Sequence, residues 1–294
     1  MLTSVTKTKM LPRQIAVCRS GTIAYRESES TATAMPVICL HGIGGDDTSF
    51  VDQMGGPFLE GLGDRRVIAW NMPGYAQSSP MKNMNFANLA TMVAELMDTL
   101  KIKHAHLVGQ SIGGMIAQEV AIQTPDRVAG LSLIATVPAF GGLDETFKTV
   151  FLKTRLDPLD AGATMAELAQ EAIPEIMGPH ASRRSRQMAV DAMASIDPVA
   201  YRQVLKCLVT FNRRADQHQL TMPCCLIAGD LDNNSPARVM RKMAEKLPNA
   251  EFHIIESAGH LVNSEKPDLV NSVLCDFFDQ VKNYSYKVDV AGDK

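Results

Sequence analysis

Along this chain, short runs of consecutive apolar residues alternate with longer segments whose apolar positions recur at helical spacing. The short runs, bounded by Gly, Pro, Asn, Asp or Ser, predict eight strands at 13–18, 22–26, 36–40, 66–70, 105–109, 131–135, 224–229 and 251–256. Helical patterns fill several intervals, at 86–100, 112–124 and 235–247, and another follows the last strand at 267–282. Strands that are apolar on both faces and separated by helices predict an α/β architecture, a mostly parallel sheet covered on both sides. The first two strands, joined by a short S-G turn, form an antiparallel entry to it.

One interval breaks the alternation. From 138 to 216 there is no strand pattern, only helical ones such as T-M-A-E-L-A-Q-E-A-I and Y-R-Q-V-L-K-C-L-V. An insertion of about 80 residues between two strands far exceeds an ordinary connection. It is read as a helical cap over one edge of the sheet, with 1–137 and 217–294 forming the core. The polar end after Lys282 is expected to fray.

Composition narrows the function classes. The 294 residues can bury a large core, and 46% hydrophobic with 21% charged residues is the balance of a soluble globular protein. A net charge of -3 gives no basic footprint for nucleic acid or an acidic membrane surface. No apolar run approaches the ~20 residues of a membrane-spanning helix. The first 26 residues hold Lys7, Lys9, Arg13, Arg19 and Arg26 without an acid or the apolar stretch of a secretory signal, and are read as a flexible arm. The six cysteines, several of them inside apolar runs such as P-V-I-C-L, show no metal-ligand spacing; free thiols in a reducing cytoplasm and no bound metal are expected.

Candidate chemistry sits where predicted strands end. The run G-Q-S-I-G, from Gly109 to Gly113, joins strand 105–109 to the helix beginning near Ile112. Such an elbow lifts the Ser111 hydroxyl above a sheet as a nucleophile. A hydroxyl needs a base, and the base an orienting acid. His104, His106, His180, His218 and His253 lie at a strand start, in or near the cap, or mid-strand. His260, in S-A-G-H-L-V, lies just beyond strand 251–256, and parallel strands gather their C-terminal ends at one edge. Strand 224–229 runs into G-D-L-D-N-N-S-P, which offers Asp230 and Asp232. The run H-G-I-G-G, from His41 to Gly45, follows strand 36–40, and the amides of Ile43 and Ile112 are assigned to an oxyanion hole.

Five motifs in this order, L-H-G-I-G-G, W-N-M-P-G-Y-A-Q-S, L-V-G-Q-S-I-G-G-M, A-G-D-L-D-N-N-S-P and E-S-A-G-H-L-V-N-S-E-K-P, run nearly end to end. With them the chain resembles an α/β-hydrolase fold enzyme. The resemblance implies Ser111 as nucleophile, Asp232 (three residues after Gly229) as orienting acid and His260 as general base. It also implies a cap at 138–216, a small-molecule substrate and no cofactor.

Serine at the elbow argues against haloalkane dehalogenases and epoxide hydrolases, and Gly44 in place of the proline of H-G-x-P argues further against epoxide hydrolases. Gly45 and Leu261 depart from the pattern of meta-cleavage C-C hydrolases, whereas M-I-A-Q after the elbow is similar to enol-lactonases and small carboxylesterases. Hydrolysis of a small ester or lactone is therefore expected. The alternatives are a C-C hydrolase, a hydrolase-like ligand receptor and a cofactor-free perhydrolase or acyltransferase. In the cap, Arg183, Arg184 and Arg186 are read as a solvated face, or as partners for a substrate carboxylate. Oligomeric state is left open.

Overall fold

A computed structural model describes residues 11–30, 33–55, 60–141 and 145–291. Its strands are β1 (Gln14–Cys18), β2 (Gly21–Glu27), β3 (Val37–Leu40), β4 (Val67–Trp70), β5 (Ala105–Gln110), β6 (Val128–Ile134), β7 (Cys224–Gly229) and β8 (Ala250–Ile255). They form one eight-stranded sheet in the order β1-β2-β4-β3-β5-β6-β7-β8. Pairs β1–β2 and β2–β4 are antiparallel, and all the others are parallel. This is the mostly parallel α/β sheet that the apolar runs predict. The central strands β3, β4, β5 and β7 are buried at every position, whereas edge strand β1 alternates between exposed and buried residues. A strand covered by helices on both faces cannot spare a polar side, and one at an edge can.

Helices α1 (Val51–Met54), α2 (Phe86–Thr99) and α3 (Ile112–Gln123) precede β6; α8 (Ala237–Ala244), α9 (Val262–Glu265) and α10 (Pro267–Ala291) follow β7. The chain visits β4 on one side of β3 and then returns to β5 on the other. Loops after β3 and β5 thus leave the sheet in a crevice at a topological switch point, where α/β folds bind ligands.

Between β6 and β7 the chain makes its long excursion, through α4 (Glu145–Asp160), α5 (Met165–Ile176), α6 (Arg183–Ala194) and α7 (Pro198–Leu208). Local signals start several of these helices: Thr164 and Glu167 form a reciprocal capping box on α5, Ser182 caps α6, and Asp197 caps α7 ahead of Pro198. The two legs meet at the base. Ala139 bridges Asn212, Phe140 N–H donates to the Phe211 carbonyl at 2.9 Å, and Arg213 N–H to that of Pro138 at 2.8 Å. Arg213 also grips the buried Glu119 of α3 through two nitrogens, at 2.6 and 2.7 Å.

Several sequence expectations change. β6 begins at Val128, ahead of the expected 131, because Gly130 is not a turn but a strand position paired with His106. A Cβ there would lie 2.8 Å from His106 Nδ1, so glycine leaves the room that ring takes. The last helix continues to Ala291, past Lys282 where fraying was expected. The basic N-terminal stretch is a hairpin of the sheet from Gln14 onward, held in part by Arg13 and Arg26, which bind the buried Asp47 at 2.5 and 2.9 Å. Residues 1–10 of the expected arm lie outside the described residues. Among the described residues no helix is long and apolar enough to cross a membrane.

Candidate active site

Ser111 occupies the turn from β5 into α3 with φ 55° and ψ -122°, a left-handed conformation that is strained for a residue with a side chain. Such strain costs about 1–3 kcal/mol and persists only where the surroundings enforce it. Here the Ser111 N–H donates to the Ile134 carbonyl at 2.9 Å, and its own carbonyl accepts from Gly114 N–H at 2.9 Å and Thr136 Oγ1 at 2.7 Å. The start of α3 presses directly on β3: a Cβ on Gly113 would collide with the Leu40 carbonyl. That contact explains the second glycine of G-Q-S-I-G in steric detail.

His260 and Asp232 meet. His260 Nδ1 lies 2.8 Å from Asp232 Oδ2, while Asp232 Oδ1 accepts from the backbone N–H groups of Asn234 at 2.8 Å and Ser235 at 3.0 Å. Burial alone would raise the Asp232 carboxyl; the charge and hydrogen bond of His260, with the two amides, reverse that and hold it below the ordinary carboxylate range. An ionised Asp232 fixes the imidazole with Nδ1 as donor, leaving Nε2 as the acceptor available to a hydroxyl. Asp230, the other carboxylate in that run, is exposed and accepts the Ala258 N–H at 3.1 Å instead.

The histidine loop is fastened by groups that the sequence did not single out. Gln110 Nε2 donates to the His260 carbonyl at 2.9 Å, so the residue beside Ser111 also holds the His260 backbone. His260 N–H donates to the carbonyl of Ile176, the last residue of α5, at 2.7 Å. The buried Glu265 carboxylate collects the N–H groups of Gly259 at 3.0 Å, Leu261 at 3.0 Å and Gly178 at 2.7 Å. The signals were present, as Q in G-Q-S and E in S-E-K-P. Their partners, however, are distant backbone groups that no local spacing reveals.

The loop after β3 supplies the remaining polarity. His41 is fully buried; its Nδ1 donates to the Gly42 carbonyl at 2.7 Å and its Nε2 accepts the Met72 N–H at 3.0 Å. That pair of bonds requires the neutral ring, and burial drives the His41 pKa down accordingly. The Tyr75 hydroxyl holds the Ile43 carbonyl at 2.9 Å, which fixes the plane of the adjoining peptides. Among the described residues, neither the Ile43 nor the Ile112 amide donates to a backbone carbonyl outside its own element.

Two chambers open on this point. Ile43, Gly44, Ser111, Ile173, Ile176 and His260 line both. The smaller, about 60 Å³, extends between the Gly42–Gly45 loop and α6. The larger, about 390 Å³, runs under α4 and α7 past Met115, Phe140, Phe151, Tyr201 and Arg155. Ser111 and His260 thus share a cavity, without a direct hydrogen bond between their side chains; such contacts often tighten only around a substrate.

Of the three clustered arginines, Arg183 and Arg184 are exposed, as a solvated face requires, and Arg186 is half-buried. Arg184 binds Asp52 at 2.8 Å and Arg186 donates to the Gly178 carbonyl at 2.7 Å, so two of them tie α6 down, and none of the three lines either chamber. Among the described residues, one group could ligate a metal: the donor atoms of Cys225, Glu251 and His253 lie within 4.8 Å of one another on β7 and β8. Burial keeps the Cys225 thiol protonated well above its ordinary pKa, Glu251 already pairs with His253 at 3.1 Å, and none of the three lines a chamber at Ser111.

A family described as "alpha/beta hydrolase fold" matches residues 35–177. The dihydrolipoyllysine-residue acetyltransferase component of the acetoin cleaving system of Pseudomonas putida is 30% identical over 252 residues, covering 82% of this chain and only 63% of that protein. A poly(3-hydroxyalkanoate) depolymerase of Ectopseudomonas oleovorans is 28% identical over 83% of this chain and 84% of its own length. Among solved structures, the enol-lactonase of Burkholderia xenovorans LB400 superposes with a TM-score of 0.78 at 22% identity, covering 90% of this chain and 100% of that one.

Proposed function

We propose that the chain, which matches the α/β-hydrolase fold family over residues 35–177, hydrolyses a small ester or lactone through an acyl-enzyme on Ser111. The observation that carries this reading is the 2.8 Å contact between His260 Nδ1 and an ionised, buried Asp232, with His260 and the strained Ser111 lining one cavity. A depolymerase of a polyester and an enol-lactonase among the similar proteins support the same bond class.

The steps follow from these groups. Ser111 Oγ attacks the substrate carbonyl and passes its proton to His260 Nε2. The imidazolium formed is stabilised by Asp232, which keeps its negative charge. The oxygen that becomes negative is met by the Ile43 and Ile112 amides, each donor worth about 2.7–4 kcal/mol in such sites. As the carbonyl re-forms, the C–O bond to the alcohol breaks and that oxygen takes the proton from His260. Water then attacks the acyl-enzyme, giving its proton to His260, and collapse returns the proton to Ser111 Oγ as the carboxylic acid leaves. With a lactone the alcohol remains attached to the acyl group and departs with it.

The test is Ser111→Ala on a short-chain p-nitrophenyl ester. The expected loss in kcat is on the order of 10⁴-fold or more; an undiminished rate in the purified variant removes the proposal.

A further inference from the structure

We propose that Arg155 forms a carboxylate-binding site in the larger chamber, so that the preferred substrate is an ester or lactone bearing a free carboxylate away from the scissile bond. This rests on the hydrolase reading above and adds its substrate class.

Arg155 stands on α4 in the wall of the 390 Å³ chamber that also contains Ser111 and His260. Its guanidinium carbon lies 3.7 Å from the centroid of the Phe151 ring. Stacking uses a face of the guanidinium and leaves its N–H edges free for a planar anion. Those edges are almost unused: the one hydrogen bond is a long 3.5 Å contact to the Phe151 carbonyl.

Neighbouring cap arginines are neutralised differently. Arg184 pairs with Asp52, Arg202 with Asp160 and Arg213 with Glu119, at 2.8, 2.6 and 2.6 Å. Arg155 has no carboxylate within ion-pair distance among the described residues, and no Asp, Glu or Lys is among the described residues lining its chamber. Burial lowers its pKa somewhat, yet a guanidinium stays charged at neutral pH.

The exposed Glu175 acts on Arg155 only from beyond ion-pair distance, and a half-buried cation without a direct partner is unfavourable unless something supplies the charge. Phe140, Phe151, Val137 and Met115 give the chamber apolar walls, Asn233, Asn234 and Ser235 add neutral polar groups, and Ser111 and His260 line it as well. An acyl or alcohol chain along those walls, ending in a carboxylate on Arg155, fills the chamber and neutralises it. One guanidinium matches a single negative charge, which favours a carboxylate over a dianionic phosphate.

The experiment compares two p-nitrophenyl esters of equal length, the mono-ester of glutaric acid and the neutral valerate, with wild type, Arg155→Met and Arg155→Lys. Wild type should prefer the glutarate ester. Arg155→Met should lose about 10- to 100-fold in kcat/KM on it, chiefly through KM. The valerate ester should change by a factor of about 3 or less, and Arg155→Lys should fall between the two.

Equal losses on both esters, or a wild-type preference for valerate, overturn the inference; the wild-type preference decides the matter if Arg155→Met fails to fold. A second readout separates this inference from the hydrolase reading. Monomethyl glutarate should raise the melting temperature of the Ser111→Ala protein but not of Ser111→Ala/Arg155→Met. A shift without turnover in wild type upholds the carboxylate site and removes the hydrolase reading, whereas turnover with no shift in Ser111→Ala removes the carboxylate site.

Discussion

The two ends of β5 carry buried histidine chemistry of opposite kinds. At its start, His106 is 3% exposed and stacks on Phe278 with centroids 4.2 Å apart; its Nδ1 has no partner, and burial, with the nearby Arg65 charge, pushes its pKa down to about 3. Beyond its end, Ser111 faces the cavity of His260, which is almost as buried at 8% but has a carboxylate on one nitrogen and its loop fastened by Gln110, Ile176 and Glu265. Burial alone therefore makes a histidine inert. A charged partner behind the ring and an anchored backbone make it fit to accept and return a proton.

The largest effect expected from this contrast is at the carboxylate. Asp232→Asn removes the charge behind His260 and should lower kcat on the order of 10⁴-fold. Asp230→Asn, two residues away and holding only an amide, should stay within about 3-fold. Steady-state turnover of one p-nitrophenyl ester by both variants measures the difference, and equal losses would assign the orienting role elsewhere.

Gln110 comes next, as a positioning residue that acts through the His260 backbone. Gln110→Leu should lower kcat about 10-fold with little change in KM, since a misplacement by a fraction of an ångström penalises the reacting geometry more than binding. The measurement is the KM-against-kcat split.

The smallest effect on turnover is expected at the other end of the strand. The ring of His106 stays neutral in the folded chain down to about 3, while in the unfolded chain it protonates below its ordinary 6.5. Between those values the unfolded state binds the extra proton, so this residue's contribution is complete above 6.5 and is lost as pH falls towards 3. His106→Leu should flatten the melting-temperature profile in that window and leave kcat at neutral pH unaltered. An unchanged profile would mean that the buried ring does not govern acid sensitivity.

The same contrast explains what was legible in the sequence. Fold class was written in the apolar runs, because strands buried on both faces need continuous Val, Ile and Leu. The motifs around Ser111, Asp232 and His260 were legible because each lies at the C-terminal end of a strand, and parallel topology brings such ends to one edge. The supports were not. Gln110, Glu265 and Ile176 act on backbone groups far away in sequence, and the pairing of Gly130 with His106 hid the start of β6. In the insertion between β6 and β7, the run of Arg183, Arg184 and Arg186 is visible in the sequence, while the arginine on the cavity wall is the isolated Arg155, whose setting without an ion-paired acid only the fold reveals.

The central claim is that the Ser111 hydroxyl is the nucleophile served by His260. Mixing the protein with diethyl p-nitrophenyl phosphate, then measuring intact mass and mapping the modified peptide, tests it directly. The account predicts one equivalent of p-nitrophenol released and one diethylphosphoryl group, on Ser111, with no adduct in Ser111→Ala. An adduct on another residue, or an unchanged stoichiometric release in Ser111→Ala, would contradict it.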